Sequence, residues 1–208
     1  MAKALRWLTH CLYNRCAWAY DPVSWFVSLG QWSRWRSAAL GYLAGGRVLE
    51  IGFGTGELLL EMRRCGIECY GLDLSPAMQR ITARKLRRWS LRAPRVRADA
   101  RAMPFAAASF DAVVSTFPAE YVLSPDVMAE VARLLTKRGR LVVAGLYVES
   151  DSPFLRLLAW LVSGGDASPA VNRFTQAAAD AGLAVTIASE QGRGFRLPVF
   201  SLEKASAP

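Results

Sequence analysis

From about residue 45 onward, short apolar runs alternate with longer stretches that place apolar residues at helical spacing. Arg47 to Ile51 is a brief apolar run closed by glycines, and its length and bounds predict a buried parallel strand. Glu57 to Cys65 carries helix formers and stops at Gly66, which predicts a helix. Glu68 to Leu72 predicts a second strand ending at Asp73. Ser75-Pro76 then marks a helix start, a hydroxyl cap followed by proline at the first helical position, and the helix runs to about Trp89. Pro94 to Ala98 and Phe110 to Ser115 predict strands three and four, and Ser124-Pro125 opens a helix to Leu135. Gly139 turns into a fifth strand, Arg140 to Leu146, followed by helices near 153–163 and 171–181 with Gly182 as a stop. Leu183 to Ser189 and Phe195 to Leu202, joined by Gly192-Arg193-Gly194, read as a closing hairpin. Strands alternating with helices predict an α/β fold with a mostly parallel sheet and helices on both faces. The hairpin requires one antiparallel strand at or near an edge.

Residues 1–44 differ from this pattern. They read as helical and are rich in tryptophan and arginine, with Trp7, Trp18, Trp25, Trp32 and Trp35 among Arg6, Arg15, Arg34 and Arg36. We therefore divide the chain into a helical N-terminal lid, 1–44, and a main domain, 45–208.

The 208 residues suit a single core, and 52% hydrophobic against 21% charged residues excludes a disordered chain. A formal charge of +9 favours anionic partners, although a solvated arginine-rich surface accounts for it equally well. The basic stretch Arg84, Lys85, Arg87, Arg88, Arg92, Arg95, Arg97 and Arg101 would suit phosphates. It lacks aromatic interleaving and any Asn-Pro-Pro-Tyr motif, so a nucleic-acid partner ranks last. Cys11, Cys16, Cys65 and Cys69 form no Cys-x-x-Cys pair, and His10 is the one histidine. No metal site and no Ser-His-Asp triad is expected on that basis. The N-terminus is interrupted by His10, Asn14 and Arg15, and Pro153 to Val162 is about half the ~20 residues of a spanning helix. A cytoplasmic protein is expected, with peripheral contact at the inner membrane face left open.

In open α/β sheets, ligands sit beyond the carboxyl ends of the strands, where strand order reverses. Residues just after each predicted strand are therefore informative. Strand one ends in Glu50-Ile51-Gly52-Phe53-Gly54-Thr55-Gly56, where three glycines allow a tight turn and close ligand approach. The amides of the next helix point at the same spot. Asp73 follows strand two, suited to both hydroxyls of a ribose, and Asp99 with Ala100 follows strand three, suited to an adenine amino group. The Gly-x-Gly-x-Gly spacing differs from the dinucleotide Gly-x-Gly-x-x-Gly, and Glu50 would repel a pyrophosphate. It would attract a cation. That favours S-adenosylmethionine, which carries a sulfonium and an α-amino group, over a hydride-transfer cofactor.

The ordered set Val48 to Gly56, Gly71 to Met78, Ala98-Asp99-Ala100, Met103-Pro104-Phe105, Ser109-Phe110-Asp111 and Glu130 to Leu135 resembles the class I S-adenosylmethionine-dependent methyltransferases. The resemblance implies a Rossmann-like seven-stranded sheet in which Glu50, Gly52, Phe53, Gly54, Thr55 and Gly56 hold the methionine part of the cofactor. It further implies that Asp73 takes the ribose and that Leu74 and Met78 flank the adenine. Asp99, beside Ala100, would take the adenine amino group, and Ser115 would face the sulfonium. Lys137-Arg138-Gly139 replaces the usual Pro-Gly-Gly before strand five. Tyr20-Asp21, Ser28, Gly30 and Trp35-Arg36 are spaced as in the ubiquinone/menaquinone C-methyltransferases, whose corresponding segment helps cover the active site. Two departures concern the acceptor: Ser24-Trp25 stands where that group has Asn-Asp, and Glu120-Tyr121 where it has Arg-Asn.

Thr116 to Tyr121 lies where an acceptor would meet the methyl group. Glu120 suits a base or a clamp for a cationic amine, and Tyr121 suits an orienting cap. Both could equally be a helix start packed on the lid. Tyr20, Trp25 and Phe117 are the acceptor-facing candidates, and the tryptophans either meet a membrane interface or pack a capping helix. The expectation is a methyltransferase acting on a small, apolar or lipid-like acceptor such as a quinone precursor or phospholipid amine. A non-catalytic module that binds the cofactor for regulation is the alternative. It predicts damaged cofactor positions, and each expected position is filled.

Overall fold

A computed structural model describes residues 31–43, 45–150, 168–192 and 195–204. The helix expected near 153–163, and the candidates Tyr20 and Trp25, lie outside the described residues. The strands are β1 (Arg47–Ile51), β2 (Glu68–Leu72), β3 (Arg95–Val96), β4 (Phe110–Thr116), β5 (Leu135–Ala144), β6 (Glu149–Ser150), β7 (Leu183–Gly192) and β8 (Phe195–Lys204). The helices are α1 (Trp32–Ser37), α2 (Glu57–Arg64), α3 (Pro76–Arg88), α4 (Pro125–Leu134) and α5 (Ser168–Asp180). Single 3-10 turns occupy Ala38–Tyr42 and Glu120–Leu123.

The strands form one sheet in the order β3-β2-β1-β4-β5-β8, with β7 along the outer side of β8. The two-residue β6 pairs with β8 beyond the end of β5. Strands β1 to β5 pair in parallel, whereas β8 is antiparallel to both β5 and β7. The closing hairpin thus supplies one reversed strand next to the edge, as its sequence requires. Strand order reverses between β1 and β4, and the carboxyl ends of those two strands form the crevice.

Alternation along the strands divides the core in two. Leu49, Ile51, Val113, Leu141 and Val143 face α4 and α5, meeting Val127, Val131, Phe174 and Ala178. Val48, Ala112, Val114, Val142 and Ala144 face α1 and α2, meeting Trp35, Leu58, Leu59 and Met62. Glu50 shares its strand parity with Val48, so the pleat aims a carboxylate into this second apolar layer.

The short β6 has no counterpart in the sequence reading, and two further elements differ from it. The third strand is confined to Arg95–Val96, because its ladder with β2 ends once Asp73 N–H reaches the Val96 carbonyl at 3.3 Å and the chain leaves toward Asp99. The fifth strand starts at Leu135, directly after α4, with Gly139 inside it. Phe110 pairs with Leu135 but Ala112 with Arg140, so Gly139 sits in a bulge rather than in the turn its composition suggests.

Candidate functional site

The turn after β1 starts with Gly52, Gly54 and Gly56 at φ of 68°, 55° and 76°. A side chain at Gly54 would meet nothing, so its face opens onto the crevice. At Gly52 an added Cβ would collide with the Tyr121 hydroxyl. Thr82 of α3, fully buried, donates to the Gly54 carbonyl at 3.0 Å and so anchors the turn from below. Helix α2 begins at Gly56 without any side-chain cap, leaving its first amides to another acceptor.

Glu50 is that acceptor in part. The Leu59 amide in the first turn of α2 favours its ionised form, as does the guanidinium of Arg36. Burial outweighs both and drives its carboxyl well above the usual carboxylate range, with the Asp73 charge adding to the rise. Only 2% of Glu50 is exposed, and its Oε2 has no hydrogen-bond partner among the described residues. A buried, half-satisfied acid is costly unless a ligand completes it.

Asp73 closes β2 and ties two segments together. Its Oδ2 accepts the Gly54 amide at 2.8 Å and its Oδ1 accepts the Ser75 amide at 2.7 Å. Burial raises its carboxyl while these two amides oppose the rise. Each oxygen keeps a lone pair for a further donor. Leu74, 56% exposed, stands at the rim beside it, whereas Met78 is fully buried and packs with Ala77 and Ile81. Asp99 is half-buried and holds the Arg101 amide at 2.9 Å and its Nε at 3.2 Å, with buried Ala100 between them.

On the far side of the crevice, Ser115 is fully buried and donates to the Ile51 carbonyl at 3.0 Å. The Tyr121 hydroxyl donates to the same carbonyl at 3.2 Å and lies 3.3 Å from Ser115 Oγ. Glu120 and Tyr121 therefore part company: Tyr121 points into the crevice between β1 and β4, and Glu120 is exposed on its 3-10 turn. Phe117 holds a left-handed φ of 48°, uncommon for a non-glycine residue, and its ring lies 6.1 Å from Trp35.

A pocket of about 420 Å³, including its open mouth, gathers much of this set. Glu50, Gly52, Phe53, Gly54, Thr55 and Phe117 line it. So does Arg36, a residue to which sequence reasoning assigned no role; the one available signal was its place beside Trp35 in the N-terminal segment. Thr82 was missed as well, because nothing local marks a helix threonine as the anchor of a turn 28 residues away.

Such a crevice, with amides and acids gathered where strand order reverses, defines an α/β protein built to hold a nucleoside ligand. Residues 48–139 match a family model described as a methyltransferase domain. The demethylmenaquinone methyltransferase of Tropheryma whipplei is 36% identical over 141 residues, covering 64% of this chain and 56% of that protein. That of Mycolicibacterium paratuberculosis is 33% identical over 147 residues, covering 69% of this chain and 61% of its own. The chain spans about three fifths of the length of these curated relatives. Among solved structures, geranyl diphosphate C-methyltransferase from Streptomyces coelicolor, in complex with S-adenosyl-L-homocysteine, superposes with a TM-score of 0.64 at 17% identity. That match covers 83% of this chain and 79% of the other. The [4+2]-cyclase SpnF superposes with a TM-score of 0.63 at 18% identity, covering 84% of this chain and 81% of the other. Over these matched residues the chain is similar to class I S-adenosylmethionine-dependent methyltransferases and resembles the menaquinone methyltransferase group.

The crevice fits that cofactor on its own terms. Gly54 leaves a cradle that a Cβ would fill, α2 offers uncapped amides, and Glu50 presents an orphaned buried oxygen. Among the described residues there is no cluster suited to a metal ion and no helix long and apolar enough to cross a membrane.

Proposed function

We propose that this protein transfers a methyl group from S-adenosylmethionine to a small, apolar, lipid-derived acceptor. The observation that carries the reading is Glu50, a buried carboxylate beneath an open glycine turn with one oxygen unsatisfied. A cationic ligand in that pocket satisfies it, and an anionic one is repelled.

When bound, S-adenosylmethionine supplies a methyl carbon activated by the adjoining sulfonium. Asp73 accepts from the ribose hydroxyls with the lone pairs left by Gly54 and Ser75, Leu74 flanks the adenine, and Asp99 accepts from its amino group. The turn from Gly52 to Gly56, open at Gly54, and Glu50 hold the methionine moiety, and Ser115 lines the sulfonium side. The chain's remaining task is alignment, which in well-oriented systems is worth up to ~7–11 kcal/mol. Phe117 supplies an apolar wall for an acceptor, and Tyr121 an orienting hydroxyl. What supports Tyr121 is its position between the ends of β1 and β4, within 3.3 Å of Ser115 Oγ. Glu120, being exposed, serves as an entrance carboxylate or as a base for an acceptor bound at the rim.

Relatives named demethylmenaquinone methyltransferase support a quinone precursor as acceptor, while the changed residues at 24–25 and 120–121 suit a phospholipid amine as well. The test incubates the protein with methyl-labelled S-adenosylmethionine and a lipid and metabolite extract. Label in a quinone-containing fraction supports the first acceptor and label in an aminophospholipid fraction the second. Tight cofactor binding with no labelled product in any fraction would establish a non-catalytic module instead. Cosedimentation with anionic liposomes, compared between wild type and the Trp25→Ala/Trp32→Ala variant, tests the peripheral membrane contact. Equal partition of the two would remove it.

A further inference from the structure

Arg36 is the cation in the wall of the pocket. It belongs to α1, where the neighbouring Trp35 is buried against Phe195 at 5.2 Å and Phe117 at 6.1 Å. That aromatic anchor fixes the helix and turns the next side chain toward the crevice. Arg36 lines the pocket together with Glu50, and only 13% of its side chain is exposed. Among the described residues its nearest acid, Glu61, stands at 3.9 Å from Nε, beyond hydrogen-bond range. Glu61 instead accepts the Ser37 hydroxyl at 2.6 Å. The Nε of Arg36 and Oε2 of Glu61 are both buried and without hydrogen-bond partners among the described residues. The other acid in the pocket wall, Glu57, is engaged by Lys85 of α3.

The pocket lining therefore holds Arg36, whose ion pair with Glu61 is long, together with Glu50, whose Oε2 has no hydrogen-bond partner among the described residues. A lone cationic ligand would complete Glu50 and leave Arg36 as it stands. A zwitterion completes both. We propose that Arg36 binds the α-carboxylate of the cofactor's methionine moiety, opposite the α-ammonium held at Glu50, so that the lid segment supplies part of the cofactor site. This rests on the S-adenosylmethionine reading above and deepens it. A guanidinium suits the task because its planar fork offers two parallel donors to a carboxylate. The arrangement also gives the cofactor site a link to the N-terminal segment: the residue that recognises the amino-acid end sits one position from the aromatic anchor of the lid.

The test is calorimetric and compares two ligands that differ only at the amino-acid end. S-adenosylhomocysteine carries the carboxylate and ammonium, whereas 5′-methylthioadenosine carries neither. Arg36→Gln is expected to weaken S-adenosylhomocysteine by about 10- to 100-fold, the order of a lost charged hydrogen bond, while 5′-methylthioadenosine holds within about twofold. Arg36→Lys should restore part of the loss, a point charge replacing a fork. Equal weakening of both ligands would show that Arg36 merely supports the fold, and unchanged affinity for both would show that it touches neither. Wild type that binds neither ligand would sink the cofactor reading itself, a separate result. Wild type is also titrated with S-adenosylmethionine and its decarboxylated analogue, a comparison that needs no variant to fold. Equal affinity for that pair would overturn the proposal, and a loss of about tenfold or more on removing the carboxylate supports it.

Discussion

Asp73, the residue just past β2, accepts the amide of Gly54 at 2.8 Å across 19 residues of sequence. That bond joins the glycine turn to the end of the second strand, so one carboxylate shapes the cradle and, in the proposed cofactor site, takes the ribose. Asp73→Ala should remove both contributions. Cofactor affinity is expected to fall by about 1.5–3 kcal/mol, the range of hydrogen bonds to charged groups. The Tm should fall with it, because the Gly54 and Ser75 amides lose their acceptor. Calorimetry with S-adenosylhomocysteine and a thermal melt check the two effects separately, and unaltered affinity would displace the ribose from Asp73.

Glu50 predicts a pH dependence with a definite sign. Burial raises its carboxyl in the folded, unliganded protein above the unfolded value. The native state thus holds a proton that the unfolded state releases, and stability falls as pH rises from the unfolded value through the folded one. Glu50→Gln removes that loss, so the variant should melt higher than wild type at neutral pH and match it more closely in acid. Binding runs the other way. A cationic ligand favours ionised Glu50, so affinity for the cofactor should rise with pH across the same window and flatten in Glu50→Gln, at a lower level. Stability gained where affinity is lost marks a residue kept for its ligand.

Gly52 and Tyr121 should prove coupled. Gly52→Ala places a Cβ onto the Tyr121 hydroxyl and forces alanine to a φ of 68°. A cost of about 1–3 kcal/mol is expected from the backbone alone. Tyr121→Phe removes the clashing oxygen, so adding it to Gly52→Ala should relieve part of the damage. Denaturant melts of the two single variants and the pair would show this as non-additivity. Strictly additive losses would place the tyrosine hydroxyl elsewhere.

Glu120 and Tyr121 should separate kinetically. Tyr121→Phe is expected to lower kcat by about 10-fold or more through lost orientation, with cofactor affinity nearly unchanged. Glu120→Gln should reduce kcat by about 10²-fold only if the carboxylate takes a proton in the transition state. A loss confined to KM would identify it as an entrance carboxylate.

The order of strands and helices was legible along the chain because each element carries its own local signature. Ser75 followed by Pro76, the glycines after Ile51, and apolar runs bounded by polar residues are all set by backbone sterics and burial within a few positions. The acids at the strand ends were legible for a related reason, since a parallel sheet delivers every strand end to one rim. Gly139 escaped this logic: a glycine in a turn and a glycine in a bulge look alike until the partner strand fixes the register. Arg36, Thr82 and the division between Tyr121 and Glu120 escaped it too. Each depends on which surface packs against which, such as Trp35 seated on Phe195 or a Thr82 hydroxyl beneath Gly54. The chain alone determined the fold and the acids at its rim, because those follow from local geometry and period. Only tertiary packing decided which side chains close the pocket, because contacts between distant segments leave no periodic trace in either one.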